Sequence, residues 1–298
     1  EIHERLVGSE MCIRDRLSLY GRFDFILAKD GTPKILEFNA DTPTSLLEAS
    51  VIQWQWKEDV FPECDQFNGI HEGLVQSWKD IFPKKGEIHF AGALENNEDT
   101  GTLQYLASTA MEAGFSTRVL DMQALDLQNG RFFDPAGELV NRCFKLYPWE
   151  WMVDESPDGC LAEMEWLEPI WKLVMSNKAI LATLYELFPD SPYVLPCYLS
   201  RPRSGLFCKK PVFSREGHNV SVVDIRNWEE HVRIAETEGD YNTGAYVYQE
   251  YVEPTVYSGR YPVIGSWIIG GEAAGIGIRE NRMEVTDNLS EFVPHIIG

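Results

Sequence analysis

The sequence predicts an α/β (α+β) protein that combines antiparallel hairpins with at least one parallel β-α-β unit. Three observations carry this expectation. Strand-like runs at 20–28 and 34–39 flank Lys29-Asp30-Gly31-Thr32-Pro33, a hairpin signal. A strand (Ile88 to Leu94), a helix (Thr102 to Ala113) and a second strand (Ser116 to Leu120) follow in the order of a parallel unit. The C-terminal third reads as strands at 206–210, 219–223, 245–252, 261–269 and 272–278.

The remaining elements fill the gaps in order. A helix is expected from Pro43 to Val60, because Pro43 suits a first turn, Ser45-Leu-Leu-Glu48 has capping-box spacing, and Leu47, Val51 and Trp54 recur on one face. A second helix covers Gly69 to Ile81 and stops before Pro83, and Asn129-Gly130 marks another hairpin. Residues 145–177 are rich in tryptophan and show no clear period. Helices are expected at Asn177 to Phe188 and Asn227 to Glu238, with Arg201-Pro-Arg-Ser-Gly205 as a linker between them. Residues 1–16, with seven charges and an abrupt change at Leu17, read as a non-native tail.

Composition narrows the function. The 298 residues are 44% hydrophobic and 24% charged, ordinary for a folded chain, but 26 basic against 47 acidic residues give a net charge of −21. Such a surface repels nucleic acid and anionic membrane and suits a cationic small molecule. Six scattered cysteines form no CxxC pair, six histidines form no HxH or HExxH, and no uninterrupted apolar run approaches 18 residues. A reduced, cytoplasmic protein without zinc is the expectation.

The chemistry concentrates in the first hairpin. With Asp30-Gly31 as a two-residue turn, Asp24 lies opposite Glu37 and Arg22 opposite Asn39. These four share one face, while Phe23, Phe25, Leu36 and Phe38 take the other. Opposed carboxylates call for a cation. Mg²⁺ held by Asp24, Glu37 and Asn39 fits, with Arg22 meeting transferred phosphoryl charge. A solvated polar face balanced by Arg22 is the alternative. Further on, Lys178 opens a helix and Lys210 ends an apolar strand. The loop through Glu216-Gly217 permits close approach to phosphate, and Gln249-Glu250-Tyr251-Val252 offers a strand end to an adenine edge. Arg279 closes a late strand and points back to the phosphates.

Taken together, Tyr20-Gly-Arg-Phe-Asp-Phe25, Leu36-Glu-Phe-Asn-Ala-Asp41, Asn177-Lys-Ala-Ile-Leu181, Lys210-Pro211, Tyr248-Gln-Glu250 and Gly277-Ile-Arg279 resemble the glutathionylspermidine synthetase-like ATP-grasp ligases over nearly all of residues 17–298. The resemblance implies a circularly permuted ATP-grasp fold, with a central mixed sheet and a smaller lid subdomain. It divides the chain into a metal-hairpin core with a substrate-binding α/β region (17–176), a nucleotide lid (177–252) and strands returning to the core (253–298). It implies Mg²⁺ ligation by Asp24, Glu37 and Asn39, and a catalytic Arg22. ATP contacts fall to Lys178, Lys210, Glu216, Gly217, Gln249, Glu250, Tyr251, Val252 and Arg279. Val263 stands where the family can carry a glutamine and receives no role. Thr42, Ser45, Glu98 and Thr100 are implied around the acid substrate. The family's amidase portion and its hydrolytic activity are not carried over, and the chain reads as a fragment lacking upstream residues. The implied reaction joins a peptide-like carboxylic acid to an amine, possibly a polyamine. A small-molecule kinase and an ATP-binding pseudoenzyme remain the competing readings.

Overall fold

The computed structural model describes residues 18–215, 217–234, 237–239, 241, 244–283 and 290–298, and the expected tail at 1–16 lies outside them. The chain opens with the expected hairpin, β1 (Tyr20–Leu27) and β2 (Pro33–Asn39). A π-helical turn (Glu48–Ile52) runs into α1 (Gln53–Val60), and α2 (Ile70–Ile81) follows. The β-α-β unit is β3 (Glu87–Gly92), α3 (Asn97–Glu112) and β4 (Ser116–Asp121). A small meander of β5 (Asp126–Gln128), β6 (Arg131–Phe133) and β7 (Leu139–Val140) turns at Asn129-Gly130. Next come β8 (Arg142–Leu146), α4 (Trp149–Glu155), α5 (Pro157–Cys160), β9 (Glu165–Leu167), α6 (Lys172–Ser176) and α7 (Ile180–Leu187). Then β10 (Cys197–Tyr198), β11 (Gly205–Pro211), β12 (Ser221–Arg226), β13 (Glu229–Ile234) and β14 (Tyr246–Glu250) precede β15 (Tyr261–Ile269), β16 (Glu272–Asn281) and β17 (Glu291–Val293).

Parallel and antiparallel pairing are divided between sheets. The hairpin sits at one side of an antiparallel sheet ordered β17-β16-β15-β1-β2, so the last strands of the chain pack beside the first. A four-stranded parallel sheet, β4-β3-β8-β9, carries the β-α-β unit, and the smaller of the two five-stranded antiparallel sheets, β10-β14-β11-β12-β13, forms a ladder of its own. One core joins the first two sheets. Tyr20 and Trp267 stack at 6.1 Å, and the Trp78 edge meets Phe90 at 5.6 Å, with all four rings fully or almost fully buried. Ile70, Leu74 and Trp78 recur at i, i+4 and i+8 on α2, which explains why that helix seats here.

Three expectations need correction. Residues 227–234, the described start of the expected 227–238 helix, form no helix. Asn227 and Trp228 both take positive φ (49° and 72°), the requirement of a type I′ hairpin turn, and β13 returns along β12. The early helix does not start at Pro43: helical structure begins at Leu46, Ser45 has φ of 63°, and no side chain caps the start, so the capping box is not made. Lys178 lies in the turn between α6 and α7 rather than opening a helix. One boundary also moves. Asn96 caps α3 by accepting from the Glu98 amide at 2.9 Å, which starts that helix five residues earlier than expected.

The hairpin register matches the expectation by a different route. The turn holds three residues, with Ala28 N–H bonded to Thr32 O and Gly31 N–H to Ala28 O, and Gly31 takes φ of 82°. That turn alone would set Asp24 against Leu36. A bulge between Asp24 and Phe25 leaves Leu36 as an extra residue and restores Asp24 opposite Glu37 and Arg22 opposite Asn39. Phe23 and Phe38 stack at 4.0 Å on the far face as expected, but the bulge brings Leu36 to the polar side.

Candidate active site

The polar face of the hairpin is a closed set of ion pairs. Arg22 grips Asp24 with two bonds, Nε to Oδ1 at 2.6 Å and Nη2 to Oδ2 at 2.9 Å, and donates Nη1 to Thr44 O at 2.5 Å. Arg279 reaches across from β16 to Asp24 Oδ2 at 2.8 Å. The lane for Arg22 exists because residue 265 on β15 is glycine; a Cβ there would stand 2.7 Å from Arg22 Cδ. Burial works against the Arg22 charge, yet the Asp24 carboxylate more than offsets it and raises the guanidinium's pKa. Arg279 is pushed the other way, by Arg22 beside it and then by burial.

Glu37 sits on the same face. Its Oε2 pairs with Lys178 Nζ at 2.9 Å, and Oε1 accepts from Asn39 Nδ2 at 3.2 Å. Asn39 Nδ2 also lies 3.3 Å from Asp24 Oδ2, so one amide spans both carboxylates. Burial opposes ionisation of Glu37, but Lys178 and Lys210 outweigh it and hold the carboxyl at about 2. Lys210 arrives from β11. Its Nζ donates to Gln249 Oε1 at 2.7 Å and to Leu36 O at 3.1 Å, while Gln249 Nε2 donates to Ile35 O at 2.8 Å. The bulged stretch of β2 is thus where the smaller sheet is tied to the hairpin.

Asp24, Glu37, Lys178, Lys210, Gly217 and the strand end Gln249–Val252 line one cavity, which is floored by Ile26, Leu36, Leu195 and Val263. The Glu250 and Tyr251 amides are bonded to Pro196 O and Leu206 O. Arg22, Asn39 and Arg279 adjoin the cavity through their bonds to Asp24 and Glu37; Glu216 lies outside the described residues. Among the described residues no group of three or more His, Cys, Asp or Glu is placed to hold a metal. The donor set here is two carboxylates and an amide whose nitrogen stands 3.2–3.3 Å from an oxygen of each. Turned about its last torsion, Asn39 offers Oδ1 to the same point. That is the sparse, hard-oxygen set that Mg²⁺ takes when phosphates and water complete its octahedron.

A second cavity opens beside the first. Thr42 and Glu98 line it with Thr44, Asn96, Asp99 and Arg215. Of the other expected substrate residues, Thr100 turns its hydroxyl to Leu94 O at 3.1 Å, and Ser45 serves the positive-φ turn; neither lines this cavity. Arg215 was not among the expected site residues. It donates to Thr42 Oγ1 at 2.5 Å and pairs with Glu150 at 2.7 Å, which bridges the β11–β12 loop to α4. Only its place two residues before Gly217 hinted at it. Behind both cavities, Asp41 is buried against Lys145 Nζ at 2.7 Å and accepts the Trp149 amide at 2.9 Å, which fixes the exit of β2.

Comparison with known proteins places this geometry. Residues 8–298 match the family model described as glutathionylspermidine synthase preATP-grasp. A Haemophilus influenzae protein assigned as an acid–amine ligase is 39% identical over 93% of this chain and 74% of its own length. Trypanothione synthetase of Crithidia fasciculata is 28% identical over 91% of this chain, and the bifunctional glutathionylspermidine synthetase/amidase of Escherichia coli 26% over 93%. The chain spans about half the length of these two, 46% and 49%. Among solved structures, a protein assigned as a γ-glutamylcysteine synthetase from Methylobacillus flagellatus superposes with a TM-score of 0.64 over 98% of this chain and 85% of its own, at 9% identity. That likeness concerns the fold.

Proposed function

The chain belongs to the glutathionylspermidine synthase preATP-grasp family, and on that premise we propose that it is an ATP-dependent acid–amine ligase forming an amide through an acyl phosphate. The observation that carries this reading is one cavity with an apolar floor, two lysines along it, and the Asp24–Glu37–Asn39 set with Arg22 and Arg279 at its end. Adenine suits the apolar floor beside Gln249–Val252, and phosphates suit Lys178 and Lys210. When bound, Mg²⁺ supplies a positive charge that screens the phosphate oxygens, held by Asp24, Glu37 and Asn39.

The acid's carboxylate oxygen attacks the γ-phosphorus, and the bond to the β-γ bridging oxygen breaks to release ADP. Arg22 lies where negative charge builds on the transferred group. The amine nitrogen then attacks the acyl carbon, phosphate leaves, and the nitrogen loses a proton. No covalent bond to the protein is needed. We assign the acid and amine to the second cavity, around Thr42 and Glu98. The glutathionylspermidine and trypanothione synthetases among its relatives suggest a peptide-like acid and a cationic amine, and Glu98 and Asp99 favour the latter by charge. Within this reading, residues 177–252 are the nucleotide lid. The free thiols among the described cysteines suit a reduced cytoplasm, and no helix among the described residues is long and apolar enough to cross a membrane.

The test is product analysis with a panel of peptide acids and amines. ADP release that requires both partners and yields an amide supports the ligase. A stable phosphorylated product made without amine would replace it with a kinase.

A further inference from the structure

At its open end the β1–β2 ladder stops with Arg22 opposite Asn39. The same register, carried one rung further, would set Tyr20 against Asp41. That rung is not made, and side chains of one segment stand in for it. The Tyr20 amide donates to Glu168 Oε1 at 3.1 Å, as does the Leu19 amide at 3.0 Å, and Tyr20 O accepts from Lys172 Nζ. Across the gap, Lys172 Nζ also donates to Ala40 O at 2.8 Å, and the Asp41 amide donates to Ser176 Oγ at 2.9 Å. An ammonium has three donors. Two of them hold one carbonyl from each side of the hairpin mouth, and the charge is met by Glu168 Oε2 at 2.7 Å. Glu168 is 0% and Lys172 2% exposed, so neither is there for solubility.

The bracket sits next to the reacting groups without joining them. Arg22 lies two residues beyond Tyr20 on the same face of β1, and Asn39 directly precedes Ala40. The splayed mouth lets the chain bend after Ala40, which brings Thr44 O to Arg22 Nη1 at 2.5 Å and Thr42 to the second cavity. The same segment then runs through α6 to Lys178, which meets Glu37 at 2.9 Å. Glu168 to Lys178 is thus one strap that touches both strands of the hairpin and delivers a lysine to the first cavity. Lys172 itself lines neither that cavity nor the second. Without its ammonium, Tyr20 O and Ala40 O would be two buried acceptors with no donor between them, and the mouth would have to shift to satisfy them.

We propose that Lys172, neutralised by Glu168, is a positioning residue for the phosphoryl-transfer step: its ammonium replaces the missing rung and sets the places of Arg22, Asn39 and Thr44 O relative to one another. This rests on reading the hairpin as the reacting centre of a ligase. Lys172 acts through backbone carbonyls alone and touches neither nucleotide nor acid nor amine.

Steady-state kinetics of the full chain, with the acid–amine pair that yields most amide in the panel above, tests this beside calorimetric titration with adenylyl imidodiphosphate. At a temperature where melting curves show it folded, Lys172→Met should lose kcat about a hundredfold while KM for ATP and the analogue's Kd stay within about threefold of the wild type. Lys172→Arg keeps a charge against Glu168, but its planar fork cannot meet two carbonyls and a carboxylate as one nitrogen does. It should melt closer to the wild type and still lose kcat, and it decides the matter by the same criterion if Lys172→Met fails to fold. A folded variant with wild-type kcat overturns the proposal and leaves the pair a structural tie, as does a loss of kcat matched by an equal loss of analogue affinity. If the wild type releases no ADP with any pair, the ligase reading fails on its own, and hydrogen exchange decides the bracket. Faster exchange in Lys172→Met confined to residues 19–22 and 39–41 upholds it, and unchanged or uniformly faster exchange overturns it.

Discussion

Replacing Gln249 by leucine removes the support of Lys210 without touching the lysine itself. The buried Gln249 accepts from the Lys210 ammonium at 2.7 Å and donates to Ile35 O at 2.8 Å. The first bond involves a charge and is worth about 1.5–3 kcal/mol, the second about 0.5–1.5 kcal/mol. Lys210 keeps its bond to Leu36 O at 3.1 Å, so it stays in the cavity but is no longer held from two sides. Stability should fall by about 2–4 kcal/mol. Affinity for an ATP analogue should fall about tenfold, equivalent to about 1.4 kcal/mol. Lys210→Met should cost more, and the double variant less than the sum of the two, since both act on one ammonium. Calorimetric titration of the four proteins with the analogue, alongside denaturant melts, measures both quantities. If analogue affinity is unchanged in Gln249→Leu while stability drops, Gln249 is a structural tie and does not position Lys210.

Four further outcomes follow from the site's geometry and the chain's charge. Asp41→Asn or Lys145→Met should each cost about 3–5 kcal/mol, because each leaves a buried charge alone, and the double variant should recover part of the loss; additive losses in urea melts would show that the pair is not coupled. Glu37→Gln should abolish ADP release and lower the melting temperature at neutral pH while keeping a cooperative transition, because Lys178 loses its buried partner; loss of the cooperative transition together with activity would mark Glu37 as structural. Its folded pKa of about 2 lies below the ordinary 4.5, so its share of stability is full above about 4.5 and is lost as pH falls toward 2. Lys178→Met should shrink that acid-dependent share, and an unaltered pH profile of unfolding would deny the Lys178–Glu37 pairing. Finally, salt should raise the apparent KM of a cationic amine more than that of a neutral one, given the net charge of −21 and a screening length of about 8 Å at physiological ionic strength; a salt-independent preference for neutral amines would remove electrostatic steering.

Much of the hairpin was legible because strand alternation fixes which side chains share a face. Asp24, Glu37, Arg22 and Asn39 carry that pattern on their own. The route to the register was not legible, since a three-residue turn and a bulge at Leu36 compensate each other. The β-α-β order and the strands at 261–278 were readable from apolar runs and glycine turns. Residues 227–238 misled because charged, mixed residues on an edge strand have no strand period, and the deciding signal was positive φ at Asn227 and Trp228. The apolar floor of Ile26, Leu36 and Leu195 looked like ordinary core until the smaller sheet came down beside it. Asp41 and Lys145 lie 104 residues apart, and their pairing depends on packing of two sheets that no local pattern encodes.

The central claim is that this cavity couples ATP cleavage to amide formation. Mass analysis of reactions with ATP, a peptide acid labelled with ¹⁸O in its carboxylate and a polyamine tests it most directly. The account predicts that one acid oxygen appears in the released phosphate, in equal amount to ADP and amide, and that Glu37→Gln abolishes all three. Phosphate carrying no acid oxygen, or ADP formed with no amide across the acid and amine panel, would contradict it.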